Sequence, residues 1–200
     1  MTEGDAVVEN CVFTGHAATP LMFASGTVRN CLIYGNRSTA TDNANNRKTG
    51  GVFMSGGRLY NCTIVANRNS SSTKGSAGLR MTGGTAVNNI VWGNTSEDGS
   101  VGVTIAAGST FTTNLVDAAI SSSGMATGII VSAQSPFKRV ETGDYRLAVG
   151  SRAVDIGDNA IWAGVADATD IAGNPRIIPR RGVVDVGCYE SPLPLASEWI

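Results

Sequence analysis

The sequence is poor in charge, in helix-forming residues and in side chains that do chemistry. Only 16% of its 200 residues are charged and the net charge is −1, so it carries no electrostatic footprint for nucleic acid or an anionic membrane surface. Its basic residues are scattered, and Arg47-Lys48 and Arg180-Arg181 are only pairs. No apolar run approaches the roughly 18 residues of a membrane-spanning helix. The opening "MTEGDAVVENC" has acidic residues where a secretory leader has a basic segment. The chain is therefore read either as cytoplasmic or as a mature or truncated piece of a longer protein. There is one histidine, no C-x-x-C and no G-x-S-x-G, which removes the usual signatures of zinc binding and serine hydrolysis. Between residues 10 and 96 the sole carboxylate is Asp42.

In place of these residues stand 25 glycines, 15 asparagines and an abundance of Val, Ile, Thr and Ser. That composition argues for many short strands joined by tight turns. The chain repeats itself: "VVENCVFTGH" (7 to 16), "TVRNCLIYGN" (27 to 36), "RLYNCTIVAN" (58 to 67) and "TAVNNIVWGN" (85 to 94), with a weaker copy in "FTTNLVDAA" (111 to 119). Upstream lie "LMFASG", "VFMSGG", "LRMTGG" and "VTIAAG". Leu21, Val52 and Leu79 each fall nine residues before Asn30, Asn61 and Asn88. Spacing inside the unit is held while the linking loop varies, as in a stacked solenoid with insertions.

Alternation within the unit marks strands, and its parity breaks at the repeated Asn. Asn tolerates the left-handed backbone that turns a strand sharply, so Asn10, Asn30, Asn61 and Asn88 are read as corners. The linkers show no apolar helical period, so parallel strands must be joined by winding round rather than by helical crossovers. The expected fold is all-β, a right-handed parallel β-helix of about five coils, with handedness following the general rule for parallel connections. Stacking puts Cys11, Cys31 and Cys62 in one inward column continued by Asn89, and the corner asparagines in a side-chain amide ladder. The thiols are read as small buried hydrophobes rather than a disulfide or zinc site.

After about residue 125 the vocabulary changes to "GDYRLAVGSRAVDIGD" and "DIAGNPRIIPRRGVVDVGCYE". Together with the preceding "NC" coils, this ending resembles secreted bacterial parallel β-helix proteins of the choice-of-anchor Q domain type. The residues that carry the likeness are Gly143 to Leu147, Asp155, Gly157, Asp170, Gly173 to Arg176, Asp185, Gly187, Tyr189 and Glu190. Arg152 and Cys188 stand where that family commonly has Pro and Ala. The resemblance implies a β-helix secreted or displayed at the cell surface, but no single reaction.

On this reading residues 1–125 form the coils and residues 126–200 a β-rich C-terminal cap of the same domain. "DYRLAVGS" and "VVDVGCYE" supply its final strands, while Asp155, Asp170, Arg176, Asp185 and Glu190 form ion pairs that fasten its loops. A calcium site among Asp155, Asp158, Asp167 and Asp170 is the alternative reading of those carboxylates. The first repeat begins by residue 7 with no room for a capping helix. The expectation is that N-terminal coils are missing, or that the open end meets another molecule or self-associates end to end.

His16 stands where Asn36, Asn67 and Asn94 stand in other copies and is read as a turn residue. Outward residues of successive coils offer a binding surface: Met22, Phe53 and Arg80 on one face, Tyr34, Val65 and Trp92 on another. Aromatic rings and guanidinium groups suit sugars. The candidate glycan contacts are therefore Phe53, Arg80, Tyr34, Trp92, Arg47 and Lys48, with no cofactor or metal implied. The favoured function is a noncatalytic, carbohydrate-associated or adhesive surface module. The alternatives are a polysaccharide lyase or glycoside hydrolase, with Arg47, Lys48, Lys74 and Arg80 available to a lyase, and a structural stalk.

Overall fold

The computed structural model describes residues 6–39, 49–70, 75–177 and 182–192. Arg47, Lys48 and Lys74 lie outside the described residues. The described chain is a parallel β-solenoid with three walls. In the first wall Val7–Glu9, Thr27–Arg29, Val52–Tyr60, Leu79–Val87, Val103–Ile105 and Ser121–Ser122 follow one another in stacking order. Leu21–Phe23 joins this wall beside Val52–Tyr60, and Ser109–Thr112 and Met125–Thr127 continue its second half.

The second wall stacks Val12–Thr14, Leu32–Tyr34, Thr63–Val65, Ile90–Trp92, Leu115–Val116 and Ile130–Val131. Among the described residues the third has only Arg37–Ser38, Arg68–Asn69 and Thr95–Ser96. Complete three-walled turns therefore number three, fewer than the coils expected from the repeats. The second wall nevertheless runs through six levels and continues to Val131, past the expected boundary at 125.

The turn between the first two walls follows from backbone chemistry. Asn10, Asn30, Asn61 and Asn88 have φ of 55°, 53°, 46° and 58°, and Thr113 continues the column at 53°. A Cβ in this region meets the next carbonyl, a cost that Asn bears better than most residues. A second bend, within the first wall, uses Gly57 at φ 77°. A Cβ there would lie 2.8 Å from the Gly26 carbonyl oxygen of the coil below, so the stacking of bend on bend also demands glycine.

Alternation sends Val28, Leu59, Ala86 and Phe111 inward as one stacked column, and Ile33, Ile64, Val91 and Val116 as another. The large Phe111 sits next to the small Ala86, which keeps the interior filled. Cys11, Cys31 and Cys62 are free, and they pack inward with this core. Cys31 and Cys62 Sγ donate to the Arg29 and Tyr60 carbonyls at 3.2 and 3.4 Å. Burial pushes the Cys62 thiol well above its ordinary pKa.

At the level above Cys62 the column changes to Asn89 and then Asn114, whose side chains hydrogen bond at 2.9 Å. A second amide ladder lines the entry to the third wall: Asn36 Nδ2 donates to Asn67 Oδ1 at 2.8 Å, and Asn67 Nδ2 to Asn94 Oδ1 at 3.0 Å. His16 begins this ladder, its backbone N–H donating to Asn36 Oδ1 at 3.0 Å. The ladder expected at the corner asparagines is reduced to one rung, Asn88 Nδ2 to Asn61 Oδ1 at 3.2 Å. Their amides are turned to another partner.

That partner is the C-terminal segment, which is neither β-rich nor an end cap. Phe137–Arg139 and Asp144–Leu147 form a small antiparallel pair, and "VVDVGCYE" is irregular. Among the described residues after Leu147 the regular elements are confined to one 3₁₀ turn, Asn159–Trp162. The segment runs back along the flank of the solenoid as a strap. Its course follows from the second wall, whose outward Leu32, Val65, Ile90 and Leu115 are apolar. The strap covers them with Phe137, Tyr145, Leu147, Ala153, Val154, Val186 and Cys188 in a second buried cluster. An end cap would leave that whole flank in water.

Candidate functional site

The strap decides which outward residues remain available. Tyr34, Val65 and Trp92 are in register on adjacent strands, as the repeat alignment implies. They are not an open glycan platform, however. Tyr34 lies against Tyr145 with ring centroids 5.2 Å apart, and Trp92 meets Phe137 edge-on at 6.2 Å. Trp92 Nε1 donates to the Ser132 carbonyl at 3.1 Å. These aromatics are consumed by the docking of the strap.

The corner asparagines serve the same contact. Asn30 Nδ2 donates to the Thr169 carbonyl at 2.6 Å, Asn61 Nδ2 to the Asp185 carbonyl at 2.7 Å and Asn88 Nδ2 to the Asp158 carbonyl at 3.0 Å. Trp162 Nε1 donates to Asn61 Oδ1 at 2.9 Å, and both guanidinium nitrogens Nε and Nη2 of Arg176 donate to Asn30 Oδ1. The Trp162 ring is flanked by Arg29 and Arg176, each guanidinium about 5 Å from its centroid. Gly187 crosses the second wall so closely that a Cβ would lie 2.7 Å from Ile90 Cδ1.

Of the five charged residues expected to fasten the loops, Arg176 and Glu190 form a buried ion pair at 2.8 Å. Asp170 acts differently, accepting from the backbone N–H groups of Ala172, Asn174 and Glu190, each at 2.8 Å. Asp185 accepts from Asp155 N–H at 2.7 Å and Ser191 N–H at 2.6 Å. Burial, with the nearby Asp185 charge, pushes the Glu190 carboxyl up to about 8 against the opposing pull of Arg176. Asp155, Asp158, Asp167 and Asp170 are not gathered round a common point. Asp158 caps the 3₁₀ turn through Ala160 N–H at 2.8 Å, and among the described residues no group of three carboxylate, His or Cys side chains could hold a metal.

The outer face of the first wall differs. Register places Met22, Phe53, Arg80, Thr104 and Ser121 in one column. Met22 is exposed, whereas Phe53 is buried and presents no ring for stacking. Arg80 is half-buried, and its Nε is shielded from solvent with no hydrogen-bond partner among the described residues. It opens onto a cleft of about 370 Å³ shared with Gly75, Asp98, Ser100, Thr104 and Ser121. Asp98 accepts from Ser96 Oγ and, at 2.9 Å, from Ser100 N–H. Burial pushes its carboxyl up, but the hydrogen bonds from Ser100 and Ser96 outweigh this and hold it below its ordinary value. The cleft thus offers a half-buried cation, an ionised acceptor and three hydroxyls, those of Ser100, Thr104 and Ser121.

Comparison with family models, with curated proteins and with solved structures returns no match. The site rests on its own geometry. Of the six sequence candidates, Arg80 alone stays with an open cleft among the described residues. Asp98 and Ser100 were missed, because they lie in the loop after the last clear repeat and only coil stacking brings them to Arg80; Thr104, at the Arg80 position of the "VTIAAG" copy, was legible from the repeat but not placed on that face. The break in alternation at "TSEDGS" (95 to 100) was the available signal of a loop projecting beside the wall.

Proposed function

We propose that this chain is a noncatalytic carbohydrate-binding solenoid, secreted or displayed at a cell surface, that holds a sugar in the Arg80 cleft. The observation that carries the reading is the half-buried Arg80 side chain lining an open cleft together with Asp98, Ser100 and Thr104. A guanidinium donates to ring hydroxyls or a uronate carboxylate. Asp98, Ser100 and Thr104 supply acceptors and donors for the remaining hydroxyls. Glycoside hydrolysis needs an acid with a raised pKa beside a second carboxylate. Asp98, held low by its serines, suits recognition rather than proton donation. The surface location is supported by the resemblance of the terminal segment to secreted choice-of-anchor Q proteins.

The test is titration of the chain with uronate-containing and neutral oligosaccharides. Binding without turnover, weakened tenfold or more by Arg80→Ala with an unchanged circular dichroism spectrum, is the expected result. A rise in ultraviolet absorbance from unsaturated sugar ends identifies a lyase instead. Absence of both binding and turnover leaves a structural stalk.

A further inference from the structure

The Arg80 cleft has a direction. Register sets Arg80 of Leu79–Val87 against Thr104 of Val103–Ile105, and Thr104 against Ser121 of Ser121–Ser122. Three successive coils thus each contribute one polar side chain to a single outward column, and all three side chains line the cleft. Parallel strands lie about 4.8 Å apart, so the column lines a furrow that runs along the solenoid axis.

Residues 98–101 bank this furrow on one side. Hydrogen bonds tie the bank to the wall. Ala77 N–H donates to the Val101 carbonyl at 3.0 Å and Gly78 N–H to the adjoining Gly102 carbonyl at 2.9 Å. Gly75 N–H donates to Ser100 Oγ at 3.3 Å. Asp98 is in turn held by Ser96 Oγ and Ser100 N–H. A ligand therefore meets groups that are already fixed, which lowers the ordering cost of binding. Val101, 38% exposed, gives the same bank an apolar spot.

The regular step of the column selects the ligand. A single sugar ring can engage one coil and leaves the other polar side chains in water. An extended chain of pyranose rings joined by equatorial (1→4) links advances by nearly one strand spacing per ring, so successive rings meet successive coils alike. Charge narrows the class. Among the described residues that line the cleft, Arg80 is the one cation and Asp98 the one anion, while the next two coils offer hydroxyls. A uronate on every ring would set carboxylates opposite Thr104 and Ser121 with no cation to meet them, beside an ionised Asp98. Neutral rings avoid that cost, since their hydroxyls can donate to Asp98 and accept from Arg80, Thr104 and Ser121.

Resting on the carbohydrate-binding reading above, we infer that the ligand is a neutral, extended (1→4)-linked polysaccharide lying along the solenoid axis, one ring to each of these three coils. The apolar face of a ring then rests on Val101.

The experiment is calorimetric titration with β-(1→4)-linked oligosaccharides of glucose, mannose and N-acetylglucosamine, one to five rings long, and with uronate chains of equal length. In the preferred neutral series affinity is expected to rise about tenfold per ring up to three rings and then level off. Ser121→Ala, at an exposed position, should abolish the gain from the third ring and leave disaccharide binding unchanged. Thr104→Val, in the middle of the column, should weaken both. A monosaccharide bound as tightly as the trisaccharide, or a uronate chain bound more tightly than every neutral one, overturns this inference and leaves the carbohydrate-binding reading standing. Absence of binding by every sugar overturns both.

Discussion

The solenoid interior and the cluster beneath the strap are both dry and apolar, but they are built by opposite rules. In the interior each position is filled by the same step of a repeated unit, and each coil is held by its two neighbours. Beneath the strap the repeated wall supplies only one partner, and the other is a unique segment with little regular structure. Repetition can stack a wall indefinitely, but it cannot cover that wall's outer face, because an outward residue on one coil never reaches the next coil's back. The strap solves this, and it reads the repeat through the corner asparagines.

Two substitutions of similar expected cost separate these regions. Arg176→Ala removes the guanidinium hydrogen bonds to Glu190 and Asn30, which at about 1.5–3 kcal/mol each should destabilise the strap by about 3–5 kcal/mol. Limited proteolysis is expected to cut the strap while the coils keep their β spectrum. Phe111→Ala opens a cavity in the interior and should cost about 3–5 kcal/mol in urea unfolding, with the coils and strap lost together because the strap has no wall to dock on. Strap loss alone in the second variant would show that the two regions are not ordered in this way.

A smaller effect separates the two duties of the corner. Asn10 and Asn61 share the left-handed backbone, but Asn61 also accepts from Trp162 and donates to the strap. Alanine at either position bears the backbone cost of about 1–2 kcal/mol. At Asn61 it also removes hydrogen bonds worth about 1 kcal/mol each. Glycine restores the backbone at both sites, so Asn61→Gly should remain destabilised and Asn10→Gly should return to near wild type in thermal melts.

A separate effect is on pH. Glu190 in the folded strap has its carboxyl raised to about 8, against an ordinary value of 4.5. Between those values the docked strap holds more proton than the released one, so its stability falls as pH rises through this window. Amide exchange in residues 182–192 should be slower at pH 5 than at pH 8.5 after correction for intrinsic rates. Glu190→Gln, which keeps an acceptor for Arg176, should flatten that difference.

Much of the solenoid was legible in particular residues. The asparagines at 10, 30, 61 and 88 announced left-handed corners because few other side chains tolerate that backbone, and the alternation around them fixed which residues stack. The same alternation put Tyr34, Val65 and Trp92 correctly on one outer column but said nothing of what lay over it. The strap's contacts join residues as far apart as Asn30 and Arg176, and its segments lack a period that would point to a partner. The Arg80 cleft was half legible: Arg80 followed from parity, whereas Asp98 reaches it only because the loop after the third wall folds back beside the coil.

By itself, then, the sequence determined the all-β repeat, its inward columns and its left-handed corners, since these depend on steric rules acting over a few residues and on like positions stacking on like. The tertiary structure alone decided that the ending is a lateral strap, that the corner amides bind it instead of one another, and which outward residues stay open. Those outcomes depend on apolar and polar groups distant in the chain satisfying each other, and no local period records that.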